Sequence, residues 1–241
     1  MTALLFRDDA YADACDAVVV AVNERGGIVL DRTVCYPAAG GQPGDRATLT
    51  LPDGTAIALA TTVYDVDKTT VVHVPTEPLA NPPAPGTTVR LTLDWTARHR
   101  HMRMHTALHL LCSLVRFPVT GGQIGADEGR LDFDITDADA VDKDKLTADL
   151  MALIAADHPV SDRWITDDEL AANPQLVRTM AVKPPMGSGR VRLVVIGHDG
   201  AIDLQPCGGT HVRRTGEIGA VAVTKIEKKG KMNRRIRVAF A

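Results

Sequence analysis

The chain has 241 residues, 45% of them apolar and 24% charged, with a formal net charge of −3 at pH 7. That balance suits a folded chain with a large core, disfavours disorder, and excludes recognition of an anionic partner through the overall field, so such a partner needs a local basic patch. Cys15, Cys35, Cys112 and Cys207 show no CxxC and no crowding, the start MTALLFRDDAYADAC has no basic and then apolar signal, and nowhere do 18 uncharged apolar residues run together. Reduced thiols in the cytoplasm, with no disulfide and no membrane, are expected.

Residues 1–94 read mostly as strands, because ACDAVVVAVNERGGIVLDRTVCYP, DRATLTLPDGTAIALATTVYDVDKTTVVHVP and VRLTLDW are β-branched runs broken by turn signals. LPDGTA is the clearest hairpin, since Asp53-Gly54 readily adopts positive φ. ANPPAPGT at 80–87 concentrates prolines and marks the break between a β-rich domain, 1–94, and a second domain, 95–241.

After the break, TARHRHMRMHTALHLLCSLVRF predicts a helix capped by Asp94 or Thr96, with Met104, Leu108, Leu111 and Leu114 or Val115 on its apolar face. A second helix is expected over about Asp142 to Asp157, stopped by Pro159, and a short third one from Thr166 or Asp167. RVRLVVIG, AIDLQPC, GAVAVTKIEKKG and RRIRVAFA then read as strands, with Gly230 in a hairpin. The order predicts an α+β fold: a small β-barrel-like domain, then an α+β domain with an antiparallel sheet packed against helices.

Two pairs of residues carry the chemistry. His105 and His109 in HTALH share one face of the first helix, and Cys207 and His211 flank Gly208-Gly209-Thr210 in CGGTH, where glycines allow a tight turn. A lone helical histidine pair is weak evidence, but imidazoles with a thiolate form a ligand set suited to zinc. A single thiolate without CxxC knuckles favours a catalytic site that keeps a position for water or substrate. HTALH has Thr106 where an HExxH protease has glutamate, which argues against protease chemistry.

HTALHLL at 105–111, CGGTHVRRTGEIG at 207–219, KKGKMNRRIRV at 228–238 and LDRTVCYPAAGGQPGD at 30–45 together resemble the free-standing alanyl-tRNA editing proteins. These are similar to the editing domain of alanyl-tRNA synthetase and, more distantly, of threonyl-tRNA synthetase. The chain looks like the stand-alone, two-domain form, with no room for an aminoacylation domain. The resemblance implies an aminoacyl-tRNA hydrolase that removes serine or glycine from alanine tRNA, because a pocket built for alanine cannot strongly reject either. It also implies one zinc ion on His105, His109, Cys207 and His211. Polarising the ester carbonyl, lowering the pKa of a water, and anchoring the substrate amino group are all compatible uses of it.

By the same resemblance, Thr33 supplies the contact to the serine hydroxyl, and Gly40, Gly41 and Gln42 form a loop that approaches the substrate. Here the loop departs from the usual pattern, with Cys35 before Tyr36 and Ala38-Ala39 before the two glycines. Cys35 reads as a small core residue in preference to a loop thiol. Gln123 is a candidate to orient the water or the ester, with Asp132 a weaker one and a plain polar hairpin the competing reading. KIEKKGKMNRRIR sets Lys228, Lys229, Lys231, Arg234 and Arg235, with Lys225 and Arg237, against Glu227 alone, a footprint for tRNA phosphate that Arg98, Arg100 and Arg103 extend. The expected partner is the acceptor end of alanine tRNA, met by a monomer; the competing function is a zinc-stabilised RNA-binding module without catalysis.

Overall fold

Alternating apolar residues make two-faced strands, and in the computed structural model, which describes residues 2–135, 141–178, 189–230 and 232–241, those of the amino-terminal part close on themselves. The α+β chain divides into two compact units, Met1–Arg100 and His101–Ala241. The first contains β1 (Ala3–Leu4), β2 (Ala14–Val22), β3 (Ile28–Leu30), β4 (Arg32–Thr33), β5 (Ala47–Thr50), β6 (Ala56–Tyr64), β7 (Val71–Pro75) and β8 (Thr88–Leu93). Six of these form a closed barrel in the order β2-β3-β7-β6-β5-β8, while β1 pairs with β4 in parallel.

In β8, Val89, Leu91 and Leu93 point inward and Thr88, Arg90 and Thr92 outward, and Cys15, Ala17, Val19, Ile28, Leu30, Leu49 and Leu59 fill the same interior. Closure pairs every strand on both sides and leaves no open edge. The Asp53-Gly54 hairpin joins β5 to β6 with Gly54 at φ 87°. The proline-rich stretch leads into β8, which pairs with both β2 and β5 and so belongs to the barrel.

Arg98 is a correction to the sequence reading: it is not a surface cation but 0% exposed. Its Nε donates to Asp45 Oδ2 at 2.9 Å, its Nη2 to the same oxygen and to the Val34 carbonyl at 2.7 Å, and its Nη1 to the Ala10 carbonyl at 3.0 Å. The Tyr36 N–H adds a third donor to Asp45 Oδ2 at 2.5 Å. A buried guanidinium is tolerable only with its charge matched and its donors filled, and the glycine-rich loop supplies both needs.

Helix α1 (Trp95–Leu114) starts in the first unit, where Asp94 caps it by accepting the Ala97 N–H at 3.1 Å. From Met104 to Cys112 every residue is buried, as expected of a helix covered all round, and Val115 rather than Leu114 completes the buried row. The second unit adds β9 (Val119–Gln123), β10 (Glu128–Asp134), α2 (Lys143–Ala155), β11 (Val160–Thr166), α3 (Asp167–Ala172), β12 (Arg190–Ile196), β13 (Asp203–Pro206), β14 (Val221–Lys228) and β15 (Asn233–Phe240). They form a four-stranded sheet, β14-β15-β10-β9, and a three-stranded one, β11-β12-β13, both antiparallel.

Asp142 caps α2 through the Lys145 N–H at 2.7 Å, and Leu146, Leu150 and Ile154 turn one face of that helix inward. Its Thr147 hydroxyl accepts the Val223 N–H of β14 at 3.0 Å. Thr166 and Glu169 close a capping box on α3. Gly129 of β10 lies directly under α1: a Cβ there would meet Met104 Cγ at 2.8 Å and Leu108 Cδ1 at 3.0 Å.

Candidate metal centre

Two elements of the second unit bring four donors together. On α1, His105 and His109 stand one turn apart, with ring centroids 5.2 Å apart. The loop after β13 turns through Gly208-Gly209 and carries Cys207 and His211, whose ring lies 4.3 Å from that of His105 and 4.8 Å from that of His109. Thr106, between the two helical histidines, ties helix to loop: its hydroxyl donates to the Met102 carbonyl at 2.9 Å and accepts the Val212 N–H at 3.2 Å.

Cys207 Sγ lies 3.5 Å from His105 Nε2 and 3.6 Å from His211 Nε2, and one ligand atom from each of the four residues lies within 4.8 Å of the others. A tetrahedral zinc, with bonds of about 2.0–2.1 Å to nitrogen and about 2.3 Å to sulfur, sets its ligand atoms about 3.3–3.6 Å apart. The donor set therefore suits one such ion in chemistry, and both thiol–imidazole distances match its spacing. Burial opposes a charged thiol at Cys207, yet the His105 and His211 rings beside it hold its pKa well below the ordinary value. For His211, burial and the charge of His105 push the pKa well down, leaving a neutral imidazole. A thiolate and neutral rings are the forms that ligate a cation.

Sequence reasoning missed the shell behind these donors. Asp203 Oδ2 accepts from His109 Nδ1 at 2.8 Å, and Gln205 Nε2 donates to the same oxygen at 2.7 Å. Burial alone would lower the His109 pKa, but Asp203 and Cys207 hold the proton and raise it to about 10. The carboxylate orients the ring so that Nε2 faces the cluster, where a bound cation would take the place of the Nε2 proton. The available signal was period-two alternation, since Asp203, Gln205 and Cys207 share one face of a strand. His211 differs, for its Nδ1 is buried without a partner among the described residues.

Thr33 lies in the first unit, 0% exposed, and its hydroxyl is engaged. His73 Nδ1 lies 3.1 Å from the Ile28 carbonyl and therefore donates to it, so Nε2 accepts the Thr33 hydroxyl proton at 2.8 Å, while Thr33 Oγ1 accepts the Cys35 N–H at 2.9 Å. Burial pushes the His73 pKa from 6.5 down to about 4. Because the unfolded chain takes up that proton first, this contribution to stability is complete above pH 6.5 and is lost as pH falls toward 4, by about 3 kcal/mol. Urea unfolding across that range measures it, and His73→Gln should flatten the slope; equal slopes in the two proteins would refute the assignment.

In the loop after Thr33, Gly40 and Gly41 take φ of 56° and 83°, and Ala39 and Gln42 bridge across them. Both glycines are exposed but Gln42 is buried, so of the three predicted loop residues only the glycines reach the surface. Cys35 is a core thiol, pushed up to about 12 by burial and the nearby Asp45 carboxylate.

Gln123 is exposed on β9 and accepts from Arg130 Nε at 3.4 Å. Asp132 is held by Arg130 at 2.7 Å and, through both oxygens, by Arg235 at 2.8 Å, so it is a structural counter-ion. The basic hairpin is likewise partly self-neutralised. Glu227 binds Arg237, Lys225 and Lys229, and Arg234 is buried against the Gly230 and Asn233 carbonyls. Arg103 donates to the Ile218 carbonyl at 2.8 Å and covers the Phe240 ring. Arg235 and Arg103 are thus drawn inward by partners distant in sequence and Arg234 by carbonyls of its own hairpin, and Lys228 and Lys229 hold the outer position; Lys231 lies outside the described residues.

Residues 191–237 match the family described as threonyl and alanyl tRNA synthetase second additional domain. Over 98% of its length the chain is 34% identical to the alanyl-tRNA editing protein AlaX-M of Methanosarcina acetivorans, of which it covers 98%. It is 33% identical to the protein of the same name in Methanosarcina barkeri, again over 98% of each. The alanine–tRNA ligase of Pyrobaculum neutrophilum is 34% identical over 93% of this chain, which spans 25% of that larger enzyme.

Proposed function

The chain belongs to the alanyl-tRNA editing protein family, and from that premise we propose that it is a deacylase that hydrolyses the ester joining serine or glycine to the terminal ribose of alanine tRNA. One zinc, held by His105, His109, Cys207 and His211, serves the reaction. The observation that carries this reading is the convergence of those four donors within 4.8 Å, with Cys207 Sγ 3.5–3.6 Å from two of the imidazoles. When bound, zinc supplies a positive charge for the ester or its attacking water.

The chain's own groups prepare the site. Asp203 and Gln205 hold the His109 ring, Thr106 holds the loop to the helix, and Cys207 offers a thiolate. His211, with no outer partner on Nδ1, is the ligand best able to yield its place to water or substrate. Thr33, its proton committed to His73, retains one lone pair, which suits a substrate hydroxyl that donates. Because Thr33 is enclosed, that contact requires the chain around it to open. Gly40 and Gly41 give this loop its left-handed turn, and Gln123 orients the water or ester from β9.

Deacylation of seryl-tRNA and alanyl-tRNA, both built on alanine tRNA, tests the function. Rapid loss of serine and slow loss of alanine are expected, and Thr33→Val should bring the two rates together. An unchanged ratio in Thr33→Val would remove that residue's role, while RNA binding without hydrolysis by the intact protein would point to a non-catalytic zinc module.

For the tRNA surface we assign Lys228 and Lys229, joined by Lys231. The double variant Lys228→Ala, Lys229→Ala should weaken tRNA binding for every sequence and reduce the slope of log affinity against log salt by about one per lysine. A slope equal to that of the unaltered protein would locate the contact elsewhere.

A further inference from the structure

The three-stranded sheet extends the donor cluster sideways. Trp164 of β11 pairs with Arg192 of β12, and the Cys207 N–H donates to the Arg192 carbonyl at 3.1 Å, continuing the register in which Leu193 faces Pro206. Cross-strand partners project to the same face, so Cys207, Arg192 and Trp164 form one row. It is the face turned to the metal donors, since Gln205, two residues before Cys207, reaches His109 Nδ1 at 3.1 Å. Arg192 Nη1 donates to the carbonyls of Cys207 at 3.2 Å and Gly209 at 3.0 Å, its Nη2 pairs with Asp162 Oδ1 at 3.4 Å, and its Nε is buried without a partner among the described residues.

At the outer end of the row the Trp164 side chain is 37% exposed, with the Arg190 guanidinium 4.6 Å from its ring centroid. An indole left in water beside a guanidinium is the pairing that receives nucleobases in single-stranded nucleic-acid sites. Two strand spacings separate the Trp164 and Cys207 backbones by about 10 Å. One ribose and its base can bridge that gap.

Resting on the editing function above, we propose that Trp164 is the stacking platform for the terminal base of the tRNA acceptor end, with Arg190 and Arg192 flanking its sugar and phosphate. A base seated on Trp164 brings the ester on its own ribose back along the row toward Cys207. Trp164 is then a positioning residue: it fixes where the ester lies and takes no part in breaking it.

The test uses the full chain with Trp95→Phe, which leaves Trp164 as the single indole of the two in the sequence. A short single-stranded RNA with the tRNA 3′ end should quench its fluorescence, and the same RNA with an abasic terminal residue should not. In deacylation of seryl-tRNA, Trp164→Ala should raise KM about tenfold with kcat little changed, and Trp164→Phe should recover most of the loss. Equal quenching by the abasic RNA, or an unchanged KM in Trp164→Ala, overturns the platform. Base-dependent quenching by an intact protein that hydrolyses no ester would uphold the platform and sink the deacylase, and hydrolysis indifferent to the terminal base would do the reverse.

Discussion

Replacing His109 with alanine should abolish metal retention and ester hydrolysis together. The substitution removes one donor from α1 and also strips Asp203 of the ring that holds its carboxylate, leaving a buried oxygen with only the Gln205 amide. Loss of an outer partner alone typically weakens metal binding about 10–100-fold, so Asp203→Asn should fall in that range and His109→Ala beyond it. Metal content after dialysis against a chelator, read beside deacylation of seryl-tRNA, measures both. A folded His109→Ala protein that kept a full equivalent of metal would show that the cluster is not the ligand set. The order of the two variants matters as much as the loss: if Asp203→Asn were the more damaging, the carboxylate would be acting on the ion or the substrate directly.

Arg98→Met should destabilise the protein by about 3–5 kcal/mol, because it leaves the Asp45 carboxylate uncompensated in the barrel unit. It also frees the Val34 and Ala10 carbonyls from their donor. Adding Asp45→Asn removes the stranded charge while keeping an acceptor for the Tyr36 N–H, so the double variant should be more stable than Arg98→Met alone. Urea denaturation of both proteins decides the point. A cost below about 1 kcal/mol for the single variant would mean that water reaches Asp45 and the pair behaves as a surface one.

These two cases mark where the sequence was readable. The helix limits were legible through local chemistry, Asp94, Asp142 and Thr166 each capping the helix expected of it. The barrel strands were legible through period-two burial, and the four donors through spacing and ligand type. What escaped was set by partners far along the chain. Arg98 and Arg235 look like surface cations until Asp45 and Asp132 arrive beside them, and Asp203 looks like any strand carboxylate until His109 meets it. Strand β11 was missed because four consecutive residues, Ser161 to Trp164, are exposed, so no alternation betrays it.

Gly129 gives the metal cluster an unexpected dependence. Met104 and Leu108, the side chains that rest on it, each immediately precede a histidine of the cluster, so the thickness of the packing at one glycine sets the height of His105 and His109 over the sheet. A single methyl group there would have to lift the helix or displace both side chains. The spacing of the four donors is thus held by a residue with no side chain, on a strand that contributes none of them, and it can be changed from beneath without altering one donor atom.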